Sequence, residues 1–75
     1  MRYYIIEHQT RPDGVVNTSE TGRSSFAAGL SFFHERCSKM SVTELYTKVS
    51  ILMVDEALNE VPGCKVTYTL PLAEQ

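Results

Sequence analysis

The sequence predicts an α+β domain in which one helix covers one face of a four-stranded antiparallel sheet. The helix is indicated by apolar residues that recur at helical intervals between Ser24 and Met40. The strands are indicated by two short segments before this helix and two after it, each with the alternation or the residue types of strands. The predicted element order is therefore ββαββ, and the chain of 75 residues is expected to form one domain over residues 1–75.

Composition and charge argue against several classes of protein. The hydrophobic fraction of 43% and the charged fraction of 21% are typical of a globular chain. The longest apolar run, Ile51 to Val54, is too short to span a membrane, so we expect a cytoplasmic protein. The net charge is −2 and the seven basic residues form no run, which argues against a nucleic-acid partner. Nothing indicates secretion, so Cys37 and Cys64 are expected to be reduced.

The first two strands form a predicted hairpin. Arg2 to Thr10 alternates and is rich in β-forming residues. The turn that follows contains Pro12 and Gly14, residue types that favour turn conformations. Val15 to Glu20 returns as a polar strand at the sheet edge, and we expect Gly22 to end it.

The predicted helix spans Ser24 to Met40. Ser24 or Ser25 can cap it by accepting a hydrogen bond from a first-turn amide. Gly29 lies beside the apolar stripe, where it would let the helix backbone lie close to a sheet. Phe32 lies off the stripe and needs cover from elsewhere. The stripe, expected to face the core, consists of Phe26, Leu30, Phe33, Cys37 and Met40.

The segment from Ser41 to Asn59 has two interpretations. Ser41 and Glu44 have the spacing of a capping box, and apolar residues follow at helical intervals, which predicts a second helix. Val49 to Val54, however, is dense in β-branched residues, which predicts a strand.

The residues that follow favour the strand. A loop is predicted from Glu56 to Gly63, with Pro62 and Gly63 as its turn pair. Beyond it, apolar and polar residues alternate from Lys65 to Leu70. We therefore predict a second hairpin, formed by Thr47 to Asp55 and Lys65 to Leu70.

Two hairpins joined by a helix predict the strand order 2-1-3-4, with antiparallel neighbours throughout and the helix on one face. Both central strands carry apolar residues on both sides. In an antiparallel sheet with one solvated face, apolar and polar residues should instead alternate along each strand. One helix covers one face, so we expect the other face to pack against a second copy or another protein. The pattern leaves open which residue set faces outward. The candidate interface residues are Tyr3, Tyr4, Ile5, Ile6, Phe32, Ile51, Leu52 and Met53.

Three segments carry a resemblance: Tyr3 to Glu7, Phe32 to Glu35 and Ser50 to Asp55. They are similar to a group of small uncharacterised bacterial and prophage-associated proteins, which have a Tyr-Tyr-hydrophobic first strand, an aromatic-His pair in their helix and a final hairpin. The chain departs from the group at Arg23 to Ser25, where an acidic residue commonly opens the helix. The group has no assigned activity, so the resemblance implies the ββαββ order and a phage-related setting, and no catalytic residue.

The histidines and cysteines predict neither a metal site nor catalysis. His34 and Cys37 stand three apart on the helix, a spacing that suits two zinc ligands. His8 and Cys64 would have to complete the site, but the predicted topology separates Cys64 from the others. A catalytic thiol needs a neighbouring base and a solvent-facing pocket, and no such set can be assembled. We therefore expect no metal, no other cofactor and no enzyme activity.

The start of the helix is one candidate binding site. Arg23, Ser24 and Ser25 supply a cation and two hydroxyl groups beside unpaired amides, which could hold an anion. The same groups form an ordinary helix cap, and the glycine spacing and lysine of a phosphate loop are missing.

The tyrosines suggest an alternative function, the binding of single-stranded nucleic acid. Tyr3 or Tyr4 together with Tyr68 would stack bases on an open sheet, and Lys48 and Lys65 would contact phosphates. Cross-strand aromatic packing explains the same residues. Our main hypothesis is therefore a non-catalytic interaction module that forms a homodimer through its exposed sheet face.

Overall fold

In the computed structural model, which describes residues 2–42 and 45–69, four antiparallel strands form one sheet with a helix packed against it. The strand order β2-β1-β3-β4 and the element order ββαββ confirm the predicted α+β fold. The elements are β1 (Tyr3–Thr10), β2 (Val16–Arg23), α1 (Phe26–Met40), β3 (Lys48–Asp55) and β4 (Glu60–Thr69).

The first hairpin turns where the sequence predicts it. The amide of Gly14 donates to the carbonyl of Arg11 at 2.9 Å, and the amide of Val15 donates to Asp13 Oδ1 at 3.0 Å. Both bonds satisfy backbone groups of the turn. The bond to Asp13 is of a common kind, because aspartate side chains often accept from a nearby backbone amide in turns. The pairing of β1 with β2 is then unbroken over all eight residues of each strand.

The prediction that Gly22 ends the second strand is wrong. Gly22 pairs with Tyr4, and β2 continues to Arg23. A Cβ on Gly22 would lie 2.5 Å from Arg2 Nη2, the far end of an exposed side chain that can shift, and 3.4 Å from Tyr4 Cε1. A glycine inside a strand can mark such a close approach instead of the strand's end.

The helix begins at the predicted cap. Ser25 Oγ accepts a hydrogen bond from the Ala28 amide at 3.1 Å. Phe33, in the middle of the stripe, is buried with 2% of its surface exposed. The prediction that Phe26 lies in the core is wrong, since it is 46% exposed. Phe26 is the first helical residue and packs edge-on against Tyr3, the first residue of β1, so only part of its ring is covered.

The prediction of a strand in the segment from Ser41 to Asn59 is confirmed by β3, and the alternative prediction of a second helix is wrong. Ser41 belongs to the end of α1, where its amide donates to the Cys37 carbonyl at 3.0 Å. Glu44, the other half of the suspected capping box, lies outside the described residues. Alternate residues of β3 are fully buried, which is the period of a strand and not of a helix.

The predicted loop from Glu56 to Gly63 is too long. The second hairpin turns earlier, because Asp55 Oδ1 accepts hydrogen bonds from the amides of Ala57 and Asn59 at 2.9 and 3.0 Å. The side chain thereby supplies acceptors for the turn, and β4 begins at Glu60. Leu70, the predicted end of this strand, lies outside the described residues.

Pro62 and Gly63 form a bulge inside β4, so the prediction that they make the turn is also wrong. Five steps along β4, from Glu60 to Lys65, face only two steps along β3, from Leu52 to Val54. Gly63 has φ of +79°, a conformation that glycine adopts without strain. Turn-forming residues here interrupt the strand pairing without ending the strand.

The core lies between the helix and one face of the sheet. The backbone of α1 lies close to the sheet at Gly29, where an added Cβ would lie 2.9 Å from Met53 Sδ and 3.3 Å from Tyr3 Cβ. The close approach predicted for Gly29 is thus confirmed. The buried cluster consists of Ile5, Phe33, Val49, Ile51, Met53 and Cys64.

We predict that Gly29→Ala destabilises the protein by about 1 to 2 kcal/mol, because the cost of overpacking exceeds the gain in helix propensity of about 1 kcal/mol. Urea unfolding followed by circular dichroism measures the change. Ser31→Ala, at an exposed position of the same helix, is the control and should change stability by less than about 0.5 kcal/mol. A Gly29→Ala variant that is more stable than the parent would contradict the close packing.

The open sheet face and the buried ion pair

The alternation of β1 divides its side chains between the two faces of the sheet. Ile5 belongs to the core cluster beneath the helix, and Glu7 is buried on the same side. Tyr4, Ile6 and His8 therefore point to the opposite side. We call this second side the open face, because α1 packs on the other side and is the one helix in the described ranges.

The open face consists of four rows that each cross all four strands. The registers of the three strand pairs define the rows. From one end of the sheet to the other, in the order β2, β1, β3, β4, the rows are Gly22–Tyr4–Val54–Glu60, Glu20–Ile6–Leu52–Lys65, Thr18–His8–Ser50–Thr67 and Val16–Thr10–Lys48–Thr69.

The first two rows carry an apolar centre. Tyr4, Ile6 and Leu52 are each half-buried, and Val54 is 4% exposed. The Arg2 guanidinium carbon lies 5.8 Å from the centroid of the Tyr4 ring, a cation–π contact at the rim of this patch. We call Tyr4, Ile6, Leu52 and Val54 the apolar patch.

The third row is polar along its whole length. His8 Nδ1 and Thr18 Oγ1 lie 3.0 Å apart, and Ser50 Oγ and Thr67 Oγ1 lie 3.3 Å apart. The open face therefore divides into an apolar end and a polar end, with hydroxyl and imidazole groups beside the apolar patch.

The structure separates the predicted interface residues into two groups. Ile5, Ile51 and Met53 are at most 2% exposed in the core beneath the helix, where no partner reaches them. Tyr3 and Phe32 are half-buried and pack against this core, with the Arg23 guanidinium carbon 4.5 Å from the Phe32 ring centroid. The predicted residues that lie on the open face are Tyr4, Ile6 and Leu52. Val54 lies on the same face but is only 4% exposed, so it supports the patch, and Tyr4, Ile6 and Leu52 form the accessible part. The alternation of Val54 with the core residue Met53 is the signal that identifies its side of the sheet.

The tyrosines considered for base stacking do not share a surface. Tyr4 lies on the open face, whereas Tyr3 and Tyr68 pack against the core on the helix side. Lys48 and Lys65 do lie on the open face, in different rows.

At the candidate anion site, Arg23 and Ser25 already contact other groups of the same chain. Arg23 Nη1 donates to the Gly22 carbonyl at 2.9 Å, and its guanidinium stacks on Phe32. Ser25 Oγ is the acceptor of the helix cap, while Ser24 is exposed. These contacts account for the residues as parts of a capped helix.

The two thiols have the properties of structural cysteines. Burial raises the pKa of Cys64 and also that of Cys37, and a hydrogen bond from Tyr68 lowers the pKa of Cys37 by less. A raised pKa disfavours the thiolate, which is the reactive form. His34 is exposed on the helix, and in residues 2–42 and 45–69 no three histidine, cysteine or acidic side chains come together as a metal site would need.

A buried ion pair joins the helix to the sheet. Glu7, with 2% of its surface exposed, accepts hydrogen bonds from Arg36 Nε at 2.8 Å and Arg36 Nη2 at 2.9 Å. The side-chain amide of Gln9 also donates to Glu7 Oε2. Burial raises the pKa of Glu7, but the hydrogen bonds from Arg36 and Gln9 and the charge of Arg36 together lower it below the usual value.

The Glu7–Arg36 pair was not among the residues predicted from the sequence. Glu7 shares its strand face with Tyr3 and Ile5, so a carboxylate on the inward side was visible in the alternation. A buried carboxylate needs a charged or hydrogen-bonding partner, and Arg36 is the arginine that the helix offers. The signal was present, but it depended on knowing which face the helix covers.

We predict that the Glu7 pair stabilises the fold in a pH-dependent way. Because the pKa of Glu7 in the folded state lies below its ordinary value of 4.5, its stabilisation is present above about pH 4.5 and is lost as the pH falls through the folded-state value. Glu7→Gln should cost about 2 kcal/mol at pH 7 and less in acid. Urea unfolding of both proteins at several pH values tests this.

The control for this experiment is Glu60→Gln, which removes an exposed ion pair with Lys65. It should change stability by less than about 0.5 kcal/mol at each pH. If the difference between the parent and Glu7→Gln stayed constant from neutral pH to acid, the lowered pKa of Glu7 would be contradicted.

Comparisons with protein-family models, with curated proteins and with solved structures gave no match to this chain. Among the described residues, no helix is long and apolar enough to cross a membrane.

Proposed function

We propose that this chain is a non-catalytic protein-interaction module that pairs with a second copy of itself through the open face of its sheet. The observation that carries the proposal is the apolar patch. Tyr4, Ile6, Leu52 and Val54 lie on the two central strands, on the side of the sheet that α1 does not cover. An antiparallel sheet with one solvated face usually has polar residues at such positions.

The size of the open face supports a weak dimer. Four strands about 4.8 Å apart and eight residues of about 3.3 Å each give a flat area of roughly 500 Å². The accessible surface of a side-chain layer exceeds its flat area, and a standard interface buries about 800 Å² on each partner. The open face therefore has the size of a small interface, for which we expect a concentration-dependent equilibrium between monomer and dimer.

The chemistry of the candidate nucleophiles supports a role without catalysis. The pKa of Cys37 and that of Cys64 are raised by burial, which makes both thiols poor nucleophiles. His8 lies on the open face beside Thr18, on the opposite side of the sheet from the helix that carries Cys37. His34 is on that helix but is exposed, whereas Cys37 packs against the core. A base and a thiol that lie on opposite sides of a sheet cannot exchange a proton directly.

Sedimentation equilibrium at concentrations up to about 1 mM tests the proposed dimer. We expect the parent protein to dimerise and Leu52→Lys to raise the dissociation constant at least tenfold, since the variant would bury an unpaired charge in the interface. Ser31→Lys adds the same charge at an exposed helix position and is the matched control.

Circular dichroism would establish that both variants are folded. A parent protein that stays monomeric throughout the concentration range would refute the proposal. The same conclusion would follow if Leu52→Lys and Ser31→Lys dimerised equally well.

A further inference from the structure

The charges on the open face indicate how two copies would meet. We infer that they pack face to face about a two-fold axis parallel to the strands, so that β1 of each copy lies over β3 of the other. In this arrangement Glu20 of each copy faces Lys65 of the other. The inference rests on the proposed function, because it specifies the geometry of the same pairing.

The second row of the open face carries opposite charges at its two ends. Glu20 lies on β2 at one edge of the sheet, and Lys65 lies on β4 at the other edge. Between them lie Ile6 and Leu52, the centre of the apolar patch. Both charged side chains are exposed. The row therefore has an acidic end, an apolar middle and a basic end.

A two-fold axis parallel to the strands exchanges the two edges and keeps every row at its own level. Each Glu20 then lies opposite a Lys65 of the second copy, and two such pairs form per dimer. Facing sheets are about 10 Å apart, a gap that a glutamate and a lysine extending from opposite sides can bridge. Charge complementarity of this kind determines which orientation of two surfaces is favoured.

The other rows are compatible with this axis. The apolar patch meets the apolar patch of the second copy, with Ile6 over Leu52, while Tyr4 lies at the level of Val54, which is only 4% exposed. The row that contains His8 and Ser50 also meets its own counterpart, so hydroxyl and imidazole groups face one another. All four rows are covered, and no polar group is forced against the apolar patch.

A two-fold axis across the strands fits less well. Centred on the second row, it would put Glu20 over Glu20 and Lys65 over Lys65, and like charges repel. Centred on the apolar patch, it would pair Lys65 with Glu60 of the second copy, but it would leave the two polar rows without a counterpart and would cover only half of the face. Glu20 would then lie over Gly22, so a dimer of this kind would not respond to Glu20→Lys. The contact of Lys65 with Glu60 within one chain, 3.6 Å long, involves two side chains that are more than half exposed, so it does not hold Lys65 firmly.

Charge reversal tests this geometry. At low salt we expect Glu20→Lys alone and Lys65→Glu alone to weaken the dimer about tenfold each, because each puts like charges together twice. The double variant Glu20→Lys/Lys65→Glu should restore dimerisation to within about threefold of the parent. Glu35→Lys, on the exposed side of the helix, makes the same charge change as Glu20→Lys and should leave the dimer unchanged.

The outcomes separate the geometry from the proposed function. If the parent dimerises and the single reversals leave the dissociation constant unchanged, the axis parallel to the strands is refuted while the dimer stands. A monomeric parent refutes both. Should a reversal unfold the chain, Glu20→Gln carries the test, since it should weaken the dimer about threefold if the inference holds and would leave it unchanged or tighten it if the inference is wrong.

Discussion

The alternation of side chains along an antiparallel strand is the constraint on which the rest of this structure depends. Each side chain of β1 and β3 points to one face of the sheet. Because the two strands pair without a break, paired residues on them share the same face. Because both strands carry apolar residues at successive positions, the sheet has two apolar sides. The helix covers one side, so the molecule has a buried core beneath the helix and, on the other side, an apolar patch in which Tyr4, Ile6 and Leu52 are half-buried.

The Glu7–Arg36 pair fixes the orientation of the helix on the sheet. Apolar contacts between a helix and a sheet tolerate small shifts, whereas two parallel hydrogen bonds between a guanidinium and a carboxylate require one orientation. Gly29 adds a second constraint, since the backbone there lies against Met53. Together these contacts fix how the helix lies on the sheet, and thus which face stays open.

The elements that depend on periodicity were predictable from the sequence. The cap at Ser25, the strand at the centre of the ambiguous segment and the strand order all follow from local patterns together with general rules of connection. What could not be predicted depends on contacts between distant residues. Gly22 stays within its strand beside Arg2, and the second turn forms where Asp55 supplies acceptors, so neither could be located from turn-forming residue types alone.

The sequence predicted that one face of the sheet would be bare, but not which face. Doubly apolar strands indicated that one face would be bare, but the choice between the set with Ile5 and the set with Ile6 needed the position of the helix. Glu7 does not supply that information from the sequence alone, because a carboxylate on a strand is more often solvated than buried. Its ion pair with Arg36 distinguishes the two sides only once the structure shows on which side the helix lies.

The bulge in β4 limits how far the sheet can grow. Pro62 has no amide hydrogen to donate, and the extra residues around Gly63 break the regular ladder that an added strand would need. Growth of a sheet into a fibre requires an available edge on both sides of every molecule. β4 pairs regularly only from Lys65 to Thr69, so its outer edge is a shorter template than that of β2, which disfavours open-ended polymerisation even though the central strands are strongly apolar.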